Sequence, residues 1–123
     1  KDKKEAQNKV KISLQIFEQA FEGIIVTDKY NKIILINNAF TNITGYELNE
    51  VYGKNPSILS SGENDEKFYE IMWNDLNENG KWEGKIKNKR KDGSIYEEHL
   101  KISSLKNEKN EVIHYIATFN SGF

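Results

Sequence analysis

The amino-terminal end of the chain repeats its apolar residues with the period of an α-helix. Two apolar rows lie side by side on this predicted helix, and the first has the four-three spacing of a coiled-coil seam. The first row consists of Val10, Leu14, Phe17 and Phe21, and the second of Ile12, Ile16 and Ala20. One packing contact would bury only one such row. The helix therefore either packs on its own domain or forms a dimer seam. We expect Gly23 to end this helix.

Beyond Gly23, short runs rich in β-branched residues alternate with turns. The predicted strands cover residues 24–27, 33–36, 82–91, 96–106 and 112–120. The first two are separated by a short polar turn and form a hairpin, and Asp92-Gly93 is a strong hairpin signal between the third and the fourth. Two strands therefore precede, and three follow, a central region with a different periodicity.

The central region predicts helices. A short helix begins at Asn37-Asn38 and stops at Gly45, and another helical turn covers residues 47–51. The clearest internal helix covers residues 66–78, where apolar residues recur at every fourth position and Gly80 ends the pattern. Strands and helices grouped in this order predict an α+β domain, in which helices cover one face of an antiparallel sheet.

The composition excludes several classes of function. The chain has 123 residues, of which 37% are hydrophobic, and this is enough for one folded domain. The formal net charge of −1 argues against nucleic-acid binding, and the absence of cysteine excludes disulfides, zinc–thiolate sites, iron–sulfur clusters and thiol nucleophiles. No segment has the roughly 20 apolar residues that cross a bilayer. We expect a cytoplasmic location and, because the chain begins with Lys1, a longer parent protein.

Six short motifs, taken in their order and spacing, resemble the PAS family of sensory domains. They are FEGIIVTD (21–28), INNAF (36–40), TGY (44–46), GKNP (53–56), WEG (82–84) and NKRKDG (88–93). The resemblance covers residues 13–119. It implies a five-stranded antiparallel sheet of strand order 2-1-5-4-3, with short helices on one face and a flanking helix at the amino terminus. With the helical pattern described above, this gives two segments: a flanking or dimerisation helix, residues 1–20, and a sensory domain, residues 21–123.

The resemblance also implies a function. PAS domains belong to histidine kinases, diguanylate cyclases and chemoreceptors, often as dimers, and they sense rather than catalyse. We therefore expect a bacterial sensory module, fused to an output domain, that binds a small ligand or a flavin in an internal pocket. The alternative is a PAS module without a cofactor that serves dimerisation or signal relay. An enzyme is disfavoured, because no Ser-His-Asp set or glycine-rich phosphate loop is recognisable.

Haem and metal binding are not expected. Haem-binding relatives use a histidine on the long helix, and residues 66–78 contain none. His99 and His114 fall on predicted strands, where the alternation of side chains points both away from the inner face. Two scattered histidines also make a poor metal site.

Thiol photochemistry is not expected either. Photoreactive flavin relatives use a cysteine that follows an asparagine in the segment matching Asn55-Pro56, and Pro56 occupies the cysteine's place. Those relatives also hold the flavin ring with two strand asparagines and a glutamine. Asn88 matches the first asparagine, whereas Glu98 and Phe119 stand at the other two positions.

A third subgroup is more similar. Residues 55–62 and the motifs after them resemble redox-sensing PAS domains that hold FAD without a covalent bond, as in nitrogen-fixation regulators and aerotaxis receptors. In that subgroup a tryptophan on the long helix packs at the flavin and a strand asparagine binds its pyrimidine edge, and Trp73 and Asn88 match these positions. The expected cofactor-binding residues are Asn88, Trp73, Asn55, Ile58, Phe68, Met72, Ile86, Glu98, Leu100 and Phe119.

The alternation along residues 82–91 gives independent support for an inward Asn88. Asn88 shares one side of the strand with Trp82 and Ile86, while four lysines occupy the other side. A buried amide without partners costs about 1–3 kcal/mol, so either a ligand, or water together with Glu98, must supply them. Trp73 is then either core filler or a ligand contact. Glu98 is either a buried carboxyl with a raised pKa or a solvated one at the sheet edge.

Overall fold

The structure, a computed structural model, describes residues 3–120. The first two residues of the predicted segment 1–20 and the last three of the predicted segment 21–123 therefore lie outside the described residues. The elements follow in the predicted order. They are α1 (Lys3–Gln19), β1 (Gly23–Asp28), β2 (Ile33–Ile36), α2 (Asn38–Thr44), α3 (Leu48–Val51), a 3₁₀ turn (Pro56–Leu59), α4 (Glu66–Asn79), β3 (Lys81–Lys89), β4 (Ile95–Lys106) and β5 (Val112–Asn120). No helix among these residues is long and apolar enough to cross a membrane.

The five strands form one antiparallel sheet, and the predicted strand order is confirmed. Its order is β2-β1-β5-β4-β3, so β5 lies at the centre between the first and the last hairpin. In the long hairpin of β3 and β4, Ile86 lies opposite Glu98 and Asn88 lies opposite Tyr96. Side chains of one parity on these two strands therefore share one face of the sheet.

The core lies between the sheet and the helices that cover this face. Phe40 of α2 and Phe119 of β5 are fully buried, and their rings meet edge to face with centroids 6.0 Å apart. Met72 and Leu76 are the buried residues of α4, which begins at an Asp65 side-chain cap and ends at Gly80 in the left-handed conformation. Helix α4 thus covers β3 with one apolar stripe and leaves its other side in water.

The prediction that Gly23 ends the first helix is wrong. Helix α1 ends at Gln19, and Gly23 is the first residue of β1. A Cβ atom on Gly23 would lie 2.5 Å from the Phe119 ring, which is far inside van der Waals contact. The glycine is present because a ring on a strand distant in sequence packs against the backbone, and a local pattern cannot reveal that.

Helix α1 does not pack along its own domain, which was one of the two alternatives. None of its residues is buried. Between residues 10 and 16, four apolar side chains are 55–68% exposed, namely Val10, Ile12, Leu14 and Ile16. Its last turn is attached through the fully buried Asn37 and through Glu18, whose carboxylate accepts from the Asn38 backbone amide at 3.0 Å. The Asn37 amide donates to the Phe17 and Glu22 carbonyls, and its oxygen accepts from the amides of Ile24 and Phe40.

Candidate ligand cavity

A cavity of about 320 Å³ lies between the inner face of the sheet and α4. Strands β1, β3, β4 and β5 form its floor, α4 forms its roof, and the turn around Pro56 forms one end. Its surface is mainly apolar, with a few polar side chains directed into it, which is the usual composition of a small-molecule site. The volume is at the lower end of the range for such sites, about 300–1,000 Å³.

Seven of the ten expected site residues border this cavity. They are Asn55, Met72, Trp73, Ile86, Asn88, Glu98 and Leu100. They come from the turn, from α4 and from two neighbouring strands, so the fold gathers residues that are far apart in the sequence. Their role in holding a cofactor remains a prediction.

The other three expected residues, Ile58, Phe68 and Phe119, do not border the cavity. Ile58 packs against the core beside it, and its neighbour Leu59 faces the cavity instead, because the 3₁₀ turn changes the direction of successive side chains. Phe68 meets the Trp82 ring edge to face at 5.7 Å. Phe119 is fully buried against Gly23 and Phe40.

Two tyrosines that were not among the expected residues also border the cavity. Tyr69 is one helical turn before Trp73 on α4, and Tyr115 is on β5. Both positions carried a signal, since residues four apart share a helix face and the alternation of β5 points Tyr115 inward. The Trp73 and Tyr115 rings meet edge to face with centroids 5.5 Å apart, and they form an aromatic wall at this side of the cavity.

A buried polar group occupies the β3–β4 side. Asn88 is 7% exposed and Glu98 is 2% exposed, so the solvated alternative for Glu98 is wrong. The loop before α4 closes over this end of β3, because the Ser61 hydroxyl and the Asn64 amide both donate to the Lys87 carbonyl, at 2.7 and 2.9 Å. Among residues 3–120, neither Oε1 of Glu98 nor the Tyr96 hydroxyl has a partner within ordinary hydrogen-bond geometry.

Burial controls the ionisation of this group. It raises the pKa of Glu98 to about 7, and the neighbouring Tyr96 and Asn88 side chains offset part of the rise. Burial also raises the pKa of Tyr96, with the Glu98 carboxylate adding to the effect. The Arg90 guanidinium lies 4.4 Å from the centroid of the Tyr96 ring and acts in the opposite direction. Glu98 can therefore change its charge near neutral pH.

Comparison with known proteins identifies the fold family. The sequence model of the PAS fold matches residues 14–121. The chain belongs to the PAS family. The resemblance seen in the sequence motifs is thereby confirmed, and so is the α+β fold that it implied.

The PAS domain is similar to parts of several larger proteins. It is 36% identical over 100 residues to a nitrogen fixation regulatory protein of Klebsiella oxytoca, which is 81% of this chain and 20% of the relative. It is 38% identical over 88 residues to a blue-light-activated histidine kinase of Brucella anthropi, which is 72% of this chain and 18% of that protein. The chain thus spans about a fifth of the length of these relatives.

Among solved structures, the PAS domain is similar to a light-oxygen-voltage domain from a study of the domain's mechanism with a flavin analogue. The TM-score is 0.79 at 27% sequence identity, and the match covers 94% of this chain and 85% of that one. The present chain has no cysteine at any position, and Pro56 of the 3₁₀ turn borders the cavity where the sequence match expected a photoreactive thiol. It therefore has no thiol that could bond to a flavin.

The two histidines lie apart from the cavity. His99 is on the strand parity opposite to Glu98, and its Nε2 lies 2.7 Å from a carboxylate oxygen of Glu83. His114 is on β5 next to Tyr115, and neither histidine borders the cavity. Within residues 3–120, no group of three His, Asp or Glu side chains is arranged to hold a metal ion.

Proposed function

We propose that this PAS domain is the sensory module of a larger bacterial signal-transduction protein, and that its cavity holds FAD without a covalent bond. The parent protein would be of the histidine kinase, diguanylate cyclase or chemoreceptor type. One observation carries the proposal: Trp73 of α4 and Asn88 of β3 border the same cavity from opposite layers. An aromatic ring from the helices and an amide from the sheet are what a planar heterocycle with a polar edge requires.

The chemistry of the cavity fits a flavin ring. The pyrimidine edge of a flavin carries an imide, which is an N–H donor between two carbonyl acceptors. The Asn88 amide offers one donor and one acceptor, and the unpartnered Oε1 of Glu98 is available nearby. When bound, a flavin would supply a redox-active ring, and the residues of this chain would bind it, orient it and limit its contact with water.

The size of the cavity limits how much of FAD is enclosed. About 320 Å³ suits a three-ring system and not a whole dinucleotide, so we expect the adenine part to lie outside. The relatives support a flavin, because a similar solved domain was studied with a flavin analogue and another relative is activated by blue light. The match to a nitrogen fixation regulator agrees with the subgroup that the motifs resemble.

A titration of FAD with the purified domain tests this proposal. We expect flavin fluorescence to be quenched in a saturable manner, because Trp73 and Tyr115 would lie against the ring. Free FAD with an equal concentration of denatured domain is the control. Fluorescence that does not saturate at any concentration of the folded domain would contradict the flavin proposal.

A second function is favoured by a different observation. The four apolar side chains that α1 exposes lie in two rows, and the row of Val10 and Leu14 is part of a seam that a second copy of the same helix would cover. We propose that the domain forms a homodimer through α1. If the domain dimerises but binds no flavin, the alternative of a cofactor-free module for dimerisation or relay becomes the better account.

A further inference from the structure

A buried carboxyl group in the cavity is not explained by flavin binding alone. Glu98 is 2% exposed, borders a mainly apolar cavity, and has an oxygen without a hydrogen-bond partner among residues 3–120. A carboxylate in such a place would need a cation, because desolvation of an unpaired charge is expensive. Glu98 therefore requires either a cationic partner or a neutral, protonated side chain.

No positively charged group among residues 3–120 forms an ion pair with Glu98. The side chains that act on Glu98 are Tyr96 and Asn88. The other polar side chains that border the cavity are uncharged, and they are Thr27, Asn31, Asn55, Ser57, Ser60, Tyr69 and Tyr115. The single arginine is used elsewhere, since Arg90 covers the Tyr96 ring and its Nε donates to the Ile43 carbonyl at 2.9 Å. None of the ion pairs within residues 3–120 includes Glu98.

The protonated form of the side chain has a different chemistry. A carboxylic acid can present one O–H donor and one carbonyl acceptor side by side, as a primary amide can with one of its two N–H groups, whereas a carboxylate only accepts. Glu98 is on the same sheet face as Asn88, on the neighbouring strand and displaced by two residue pairs. An acid and an amide in these positions together offer two donors and two acceptors. When Asn88 pairs with the N–H and one carbonyl of an imide edge, Glu98 can bind the second carbonyl only as a donor, and therefore only while it is protonated.

We propose that Glu98 binds the imide edge of the cavity's ligand as a neutral acid, so that binding takes up one proton. The inference rests on the proposed function, because it takes the same cavity as the ligand site and a flavin as the ligand. Ionised Glu98 would place two acceptor oxygens against the ligand's carbonyl groups and would weaken binding. Occupancy of the cavity would then depend on pH as well as on the ligand concentration.

The pKa of Glu98 gives the pH range. Burial raises it to about 7, so the carboxyl is largely protonated below neutral pH and largely ionised above it. A ligand that binds only the protonated form loses affinity as the pH rises through this value. Once Glu98 is ionised, the loss approaches about tenfold in dissociation constant for each pH unit, as expected for uptake of one proton.

The test is a fluorescence titration of FAD at about pH 6 and about pH 8, one unit on either side of that value. The wild type, Glu98→Gln and Glu97→Gln are compared. We expect the wild type to bind several-fold more weakly at the higher pH. Glu98→Gln keeps a donor and an acceptor without a titrating proton, so it should bind equally at both pH values. Glu97 is exposed on the other face of β4, and its variant should behave as the wild type.

Proton uptake can be measured directly and independently of fluorescence. Calorimetric titrations of FAD near pH 7 in two buffers of different ionisation enthalpy should give uptake for the wild type and none for Glu98→Gln. The absence of saturable binding by the wild type at both pH values would overturn the proposed function and this inference together. Saturable binding with the same pH dependence in wild type and Glu98→Gln would overturn the inference alone. Wild-type binding that strengthens as the pH rises would also overturn it, because the ionised carboxylate would then bind FAD more tightly than the neutral acid does.

Discussion

Asn88 is the residue through which, under the proposed function, the sheet would meet the polar edge of a ligand. Its inward direction could be predicted from the sequence, because the lysines at alternate positions of β3 leave only one side for it. The positions of Ile58, Phe68 and Phe119 could not be predicted in the same way. A 3₁₀ turn and aromatic packing decide whether each of them faces the cavity or only the core, and both depend on contacts distant in sequence.

The first prediction concerns the Asn88 amide. Asn88→Ala removes one or two neutral hydrogen bonds to the ligand, so FAD binding should weaken by about 1–2 kcal/mol, or about 5- to 30-fold in dissociation constant. Fluorescence titration measures the effect. Asn77→Ala is the matched control, because Asn77 is exposed on α4. An unchanged dissociation constant for Asn88→Ala would show that the amide does not bind the flavin.

The second prediction concerns the stability of the flavin-free domain, which should depend on pH through Glu98. Its pKa is about 7 when folded and about 4.5 when unfolded, so the folded state holds the extra proton between these values. The contribution of Glu98 to stability should therefore fall as the pH rises from about 4.5 to about 7, by at most about 1.4 kcal/mol per pH unit, and then level off.

Urea denaturation over this pH range, for wild type and Glu98→Gln, measures that contribution. The difference in free energy of unfolding between the two proteins should change with pH in the stated direction, while Glu97→Gln should track the wild type. A difference that stays constant with pH would mean that the Glu98 carboxyl titrates normally in the folded domain.

At the scale of elements, the strands could be predicted to within one or two residues, because β-branched runs and turn signals are local features. The end of α1 could not, since Gly23 is required by the Phe119 ring on the central strand. The attachment of α1 to the domain was also out of reach of sequence patterns. It depends on Asn37, which serves as the side-chain cap of α2 and binds two carbonyls near the end of α1, and on Glu18, whose carboxylate accepts from the Asn38 amide.

Asn37→Ala should therefore destabilise the whole domain. The substitution removes a helix cap and leaves several partly buried backbone groups without partners, and we expect a loss of about 2–4 kcal/mol in the free energy of unfolding. Asn38→Ala is the control, because Asn38 is exposed, and its effect should stay within about 0.5 kcal/mol. Urea denaturation measures both. Equal stability of the two variants would contradict the role given to Asn37.

At the scale of the whole molecule, the chain is one PAS domain that spans about a fifth of the relatives described above. The sequence could predict the family, because its motifs are spread over nearly the entire fold. It left open whether the first helix packs on its own domain, since the two apolar rows satisfy either arrangement. The structure leaves these rows exposed over residues 10–16, and a dimer is the arrangement we propose for them.

The proposed dimer predicts that charges in the apolar rows of α1 will separate the two copies. Leu14→Glu combined with Ile16→Glu places two charges in the apolar surface of α1, and the protein should become a monomer of 14.3 kDa by light scattering. Asn8→Glu combined with Gln15→Glu adds the same charge to exposed positions on the polar side of that helix, and should remain dimeric. A wild type that is monomeric at high concentration would rule out the proposed homodimer.

The visible absorption spectrum of the domain, purified without added flavin and again after incubation with FAD, tests the central claim most directly. We predict flavin bands that remain with the protein on gel filtration and that are released on denaturation, because Trp73 and Asn88 would hold the ring without a covalent bond. A protein that stays colourless after incubation with FAD and gel filtration would contradict the account of this cavity as a flavin site.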